Sequence, residues 1–147
     1  MSLITKNAIQ KKLASIFRTH PSALFAYLYG SYAKGEEGPL SDIDIAIFFD
    51  QQLSPTKRRK VKDEVEDTII DAFPKKKIDL IDLNDFDSLT PLLEREIVYD
   101  GILVYSKDEA ARAHFESVAI GEWLDWEPHH RTYHDAMERE LLEAYGE

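Results

Sequence analysis

Apolar residues open the chain at helical spacing. Ile9, Leu13, Ile16 and Phe17 share one face between Thr5 and Phe17, and the pattern stops at Thr19-His20-Pro21, so a helix and then a turn are expected. The period then changes. LFAYLYG, 24–30, is a short apolar and aromatic run closed by glycine, and DIDIAIFF, 42–49, is a second; they read as neighbouring strands separated by the glycine-rich loop 34–39. Ser54-Pro55 offers a cap and a proline at the first helical position, and Val61, Val65, Ile69 and Ile70 then form one stripe that ends before Pro74, an amphipathic helix. KIDLIDL, 77–83, alternates enough for a third strand, Asp85 to Ile97 puts Leu89, Leu92, Leu93 and Ile97 on a helical face, and GILVYS, 101–106, is a brief fourth strand. From Lys107 the residues Ala111, Phe115, Val118, Ala119 and Trp123 return to helical spacing as far as Pro128. The stretch 129–145 reads as another, more polar helix ending in Leu141, Leu142 and Tyr145. The order α-β-β-α-β-α-β-α predicts an α+β, or mixed α/β, domain: a small sheet flanked by helices, with helices at the C-terminal end.

Composition narrows this picture. A chain of 147 residues, 44% of them apolar, is the size of one domain with one core. It has no cysteine, which excludes disulfides, thiolate zinc sites and a cysteine nucleophile, and which accords with a reducing cytoplasm. Lys6, Lys11 and Lys12 interrupt the N-terminal stretch, and no window approaches the ~20 apolar residues of a membrane span, so neither secretion nor insertion is expected. A formal charge of -10 opposes general nucleic-acid binding. The basic runs KRRKVK, 57–62, and KKK, 75–77, read as solvated edges, with a patch for nucleotide phosphates or an acidic partner as the alternative.

The candidate chemistry lies in GSYAKGEEGPLSDIDIAIFFD, 30–50. On a strand Asp42 and Asp44 point the same way, with Cα atoms roughly 6.6 Å apart, while Ile43, Ile45 and Ile47 point into a core. Two carboxylates aimed at one spot repel unless a cation sits between them, and hard oxygen ligands suit magnesium completed by substrate phosphates. Gly30-Ser31, at the end of the first strand, lets the backbone turn sharply and bring N–H groups and a hydroxyl close to a phosphate. Gly35 and Ser41 lie between the pair and the doublet.

Gly30, Ser31, ten intervening residues, Asp42, any residue and Asp44 together resemble the signature of the polymerase-beta-like nucleotidyltransferase superfamily, and the extended form GSYAKGEEGPLSDIDIAI is similar to its minimal nucleotidyltransferase (MNT) branch. The resemblance implies two-metal transfer of a nucleotide from magnesium-ATP: Asp42 and Asp44 on the metal, Gly30, Ser31 and Ser41 on the nucleotide, and Lys34 neutralising charge there. Arginine is common in the family where Lys34 stands, and lysine offers a point charge in place of a fork. The family's third acid comes from a later strand. KIDLIDL offers Asp79, which shares a face with Ile81 and Leu83, and Asp82, which shares the other with Ile78 and Leu80; composition does not choose between those faces, and resemblance favours Asp79 as metal ligand or proton acceptor.

The resemblance also divides the chain into a transferase domain, 1–106, and a C-terminal helical extension, 107–147, packed on it. FESVAIGEWLDWEPHHRTY is similar, more loosely, to the tail of MNT antitoxins, which in that family add AMP to a tyrosine of a HEPN ribonuclease toxin. The implied partners are thus a HEPN toxin, in a hetero-oligomer, and ATP, with no membrane and no direct nucleic-acid contact. HEPN toxins carry arginine, four to six residues, then histidine; Arg131 and His134 are too close for that pattern, so this chain is not read as the toxin. His129, His130 and His134 read as exposed polar residues, and Trp123 and Trp126 as core or partner-interface anchors. Two rivals stand beside the enzyme: an antitoxin that only masks its partner, and a small-molecule nucleotidyltransferase with a separate substrate-binding subunit.

Overall fold

The structure is a computed structural model and describes residues 5–145. Thr5 caps helix α1 (Lys6–Arg18) by accepting from the Ala8 amide at 3.1 Å, and Ile9, Leu13, Ile16 and Phe17 form its buried face. Strand β1 (Ala23–Tyr29) leads through a four-residue helix α2 (Ser31–Lys34) into β2 (Ile43–Phe49). Helix α3 (Pro55–Ala72) starts at the Ser54 cap with proline at its first turn. Strands β3 (Ile78–Asp82) and β4 (Ile102–Ser106) complete a four-stranded sheet of order β3-β2-β1-β4. β1 is antiparallel to β2 and to β4, whereas β2 and β3 are parallel, joined by the α3 crossover. The mixed α/β fold is the one expected.

Both faces of the sheet are covered, which is why β1 and β2 are almost continuously apolar. On one face Leu28, Ile43, Ile45 and Ile47 pack with Leu13 and Phe17 of α1 and Val65 and Ile69 of α3. On the other, Phe25, Tyr27, Ala46 and Phe48 meet Leu89, Ile97, Phe115 and Ala119. Phe25 stacks on Phe48 with centroids 4.8 Å apart, and the Tyr27 hydroxyl donates to Glu116 at 2.6 Å, tying the sheet to the last helix.

Three expectations about elements are corrected. Ahead of the glycine-rich loop, where no element was expected, residues 31–34 form helix α2, which ends on Gly35 in the left-handed conformation (φ 72°) and leaves 35–39 as loop. The helix expected over 85–97 is instead a 3-10 turn at Phe86–Ser88, helix α4 (Pro91–Arg95) and a π-helical turn at Glu96–Asp100. Pro91 forces Thr90 into extended backbone (φ -95°, ψ 155°), and the Thr90 hydroxyl then caps the new helix by accepting from the Leu93 amide at 3.1 Å. The third correction is at Pro128, expected to end a helix. A single helix α5 (Glu109–Tyr145) runs through it. Proline removes one helical hydrogen bond, and the turn that follows is held by the Glu127–Arg131 ion pair and by the Thr132 hydroxyl donating to the Pro128 carbonyl at 2.9 Å. Among the described residues no helix is long and apolar enough to cross a membrane.

Candidate active site

The parallel pairing of β2 and β3 puts Asp44 directly opposite Asp79. Both belong to the face that carries Ala46 and Phe48 on β2 and Leu83 past the end of β3, and they stand at the end of that face where the apolar side chains stop. Tyr29, the last residue of β1, pairs with Asp44 from the other side. Asp42 lies just before β2, half-buried, with Lys77 Nζ 3.9 Å from its Oδ2.

Gly30 fixes how closely the loop approaches these acids. Its φ of 73° lies in the left-handed region, and a methyl group at position 30 would stand 2.2 Å from Asp44 Oδ2. Backbone therefore occupies the space beside the carboxylate that any larger residue would need. Ser31 opens α2, whose carbonyls at Gly30 and Ser31 accept from the amides of Lys34 (3.2 Å) and Glu36 (2.9 Å). Lys34 reaches Glu96 Oε1 at 3.3 Å.

Electrostatics mark the spot. The Asp44 carboxyl is pushed up to about 6, by burial first, then by the charges of Asp79, Asp42 and Glu96, and by a hydrogen bond with Asp79. Two carboxyls can share that bond only if one holds a proton. The Tyr29 phenol is also raised, by burial and then by Asp79, Asp44 and Glu96. Among the described residues no three acidic or histidine side chains converge into a ready-made metal cage. The donor set still suits a hard divalent ion, because magnesium is commonly bound through one or two carboxylates with water and substrate phosphates completing its shell. A cation there would take the place of the shared proton.

Of the residues singled out from the sequence, Asp42, Asp44, Asp79, Gly30, Ser31 and Lys34 are gathered around this end of the sheet. Ser41 is engaged in the loop: its hydroxyl accepts from the Gly38 amide at 2.8 Å and its amide donates to the Gly38 carbonyl at 3.1 Å. Asp82 lies on the opposite face, where Arg58 Nε donates to it at 2.8 Å and the Asn84 amide at 2.8 Å. Arg58 of the first basic run is thereby accounted for. In the second run, Lys76 lies over the Tyr32 ring (5.3 Å) and donates to the Pro39 carbonyl at 3.0 Å, bracing the loop. The side chains of His130 and His134 lie outside the described residues. Sequence reasoning missed Tyr29 and Glu96. Tyr29 was accessible through strand parity, since it adjoins Gly30 on a strand paired with Asp44; Glu96 sits on a π turn that no local pattern announces.

Comparison with known proteins agrees with this arrangement. Residues 11–110 match the family model described as Polymerase beta, Nucleotidyltransferase. A Methanocaldococcus jannaschii protein named as a candidate protein adenylyltransferase is 30% identical over 96 residues, 65% of this chain and 94% of that protein. Among solved structures, a toxin-antitoxin with AMP-PNP superposes with a TM-score of 0.64 at 22% identity, covering 88% of this chain and 98% of the other. A Shewanella oneidensis complex of a tri-AMPylated HEPN toxin with an MNT antitoxin gives 0.59 at 19% identity, covering 91% and 99%. At such identities these structures speak to the fold, whereas the family model and the M. jannaschii relative speak to kinship. The chain is a nucleotidyltransferase of the polymerase beta family.

Proposed function

We propose that this chain transfers AMP from magnesium-ATP to a hydroxyl, a tyrosine, of a cognate HEPN ribonuclease toxin in the cytoplasm, and so acts as its antitoxin. The observation that carries the proposal is Asp44 and Asp79 side by side on parallel strands with the Gly30 backbone against them. Asp42, Asp44 and Asp79 would hold magnesium, which when bound neutralises charge on the triphosphate. The chain's own residues do the rest. The Gly30-Ser31 backbone and hydroxyl line the phosphates, Lys34 exchanges Glu96 for a phosphate oxygen, and Asp79 accepts the proton of the hydroxyl as its oxygen bonds to the α-phosphorus, the α–β phosphoanhydride breaks and pyrophosphate leaves. Ser41 serves the nucleotide through the loop it closes.

The relatives, one named as a candidate protein adenylyltransferase and one an MNT antitoxin beside an AMPylated HEPN toxin, support the acceptor class. The further division proposed is a transferase unit, 1–106, and a helical extension, 107–147. Leu124 near the middle of that extension, and Met137, Leu141 and Leu142 on its distal half, are exposed and suit a partner's surface. The test is mass spectrometry of a co-expressed HEPN partner incubated with the chain and magnesium-ATP. One or more AMP additions on a tyrosine, lost with Asp44→Asn, is the expected result. Neutralisation of the partner without any addition would replace the enzyme with a masking antitoxin, and AMP on a small acceptor alone would replace the protein substrate.

A further inference from the structure

Away from the carboxylate site, a cavity of about 140 Å³ lies between the sheet and α5 and shares no residue with that site. Its floor is apolar and aromatic, Phe48, Phe115 and Ala119, and the exposed His114 and Glu122 stand at its mouth. Glu94 closes it from α4. This is the one buried charged residue among those described, 5% exposed, and its Oε2 has no hydrogen-bond donor. The neighbouring Glu122 carboxyl can satisfy it only by holding a proton between them. Ionised and without a donor, a carboxyl buried there is costly and calls for a counter-charge.

We propose that this cavity is a binding site for a primary alkylammonium ion, with the ammonium between Glu94 and Glu122 and the aliphatic stem against Phe48 and Phe115. The chemistry fits at both ends. Two carboxylates offer acceptors to an ammonium that has only donors, and ring faces beside them attract a cation while the stem buries apolar area. An alcohol of the same length would keep the stem contacts and lose the charge.

Proton linkage supports the geometry. The Glu94 carboxyl is pushed up to about 8, by burial first and then by the hydrogen bond with Glu122 and its charge, so an entering cation must displace a proton. The other charged or titratable side chains that line the cavity are Glu122 and His114, both at its mouth. The Glu94 proton predicts affinity that rises with pH up to about 8 and levels off above it. An alkylammonium, with a pKa of about 10 like lysine's, stays charged throughout that range.

The experiment is titration of the full chain with n-butylammonium, 1,4-diaminobutane and butan-1-ol, followed by methyl resonances of Ala111 and Val118 and by calorimetry. Saturable binding of the amines is expected, with butan-1-ol at least about tenfold weaker and Glu94→Gln losing at least about tenfold. Glu122→Gln, at the exposed mouth, is expected to fold normally and to lose severalfold, which keeps the proposal testable if the Glu94 variant misfolds. A lysine side chain presented as Nα-acetyl-lysine methylamide distinguishes a protein-borne ammonium from a free amine: equal affinity assigns the former as a source. Absence of saturable amine binding, equal binding of the alcohol, or affinity independent of pH between 6 and 8 would overturn the proposal.

Discussion

Asp44 is where the chain carries its clearest electrostatic cost. Its carboxyl is raised from the ordinary value near 3.8 to about 6, so the folded state holds a proton that the unfolded chain has released. Stability from this group is therefore greatest below pH 4 and falls as pH climbs from about 4 to about 6, after which the whole cost, on the order of 2 kcal/mol, is present. Asp42→Asn with Asp44→Asn should abolish nucleotide transfer and raise the melting temperature of the metal-free protein at pH 7.5, with the gain shrinking toward pH 4; a gain unchanged across that range would show that the repulsion is not its source. The third acid yields a second prediction. Strand parity read from the sequence separated Asp79 from Asp82 without choosing, because neither alternate set on β3 is wetter than the other; the parallel register with β2 sets Asp79 opposite Asp44 and Asp82 opposite Ile47. Asp79→Ala should remove most of the rate with little change in ATP affinity. Asp82→Ala breaks the half-buried pair with Arg58 and should cost roughly 1 kcal/mol of stability with transfer retained. Single-turnover transfer and denaturant melts on both variants check the assignment, and a dead Asp82→Ala beside an active Asp79→Ala would reverse it.

Among the elements, the ones legible from sequence are those with a clean period and their own caps: α1 from Thr5, α3 from Ser54-Pro55, and the strands β1 and β2 as unbroken apolar runs. What failed to show was competition between a period and a backbone rule. Leu89, Leu92, Leu93 and Ile97 keep helical spacing across 85–97, yet Thr90-Pro91 restarts the chain inside that window and leaves a π turn after α4. Pro128 misleads in the other direction, since α5 runs through it with the Glu127–Arg131 ion pair and the Thr132 hydroxyl bond to the Pro128 carbonyl spanning the break. The short connection Gly30–Gly35 matters most for the site, because it delivers backbone against a carboxylate. Gly30→Ala meets both a strained φ and a collision with Asp44 Oδ2, so it should destabilise the fold by about 1–2 kcal/mol and reduce transfer far more than that loss explains. Rates measured well below the melting temperature separate the two effects; activity that merely follows the folded fraction would mean that the approach of this loop has no part in the reaction.

At the scale of the whole molecule, one sheet buries two unlike faces, and the carboxylates stand at the end of the face shared with α4 and α5. That layout was legible only in outline. Periodicity showed which strands were fully buried, but which helix covered which face depends on the order β3-β2-β1-β4, and nothing local encodes it. The layout leaves a net charge of -10 and an uncompensated acid pair facing the same solvent from which a triphosphate must come. A bare polyanion approaching Asp42, Asp44 and Asp79 meets repulsion, while the same anion with magnesium brings the counter-charge that the acids lack. A ligand that binds only the folded state stabilises it by mass action, so saturating magnesium-ATP should raise the melting temperature by on the order of 5 °C. ATP with EDTA should give little or none of that shift, and Asp44→Asn should lose the difference between the two conditions. The gain should also be larger at pH 7.5 than at pH 5, because at pH 5 the metal must first displace the proton that Asp44 retains. A shift that is equal with EDTA, or larger at pH 5, would show that the nucleotide is held by groups other than these acids.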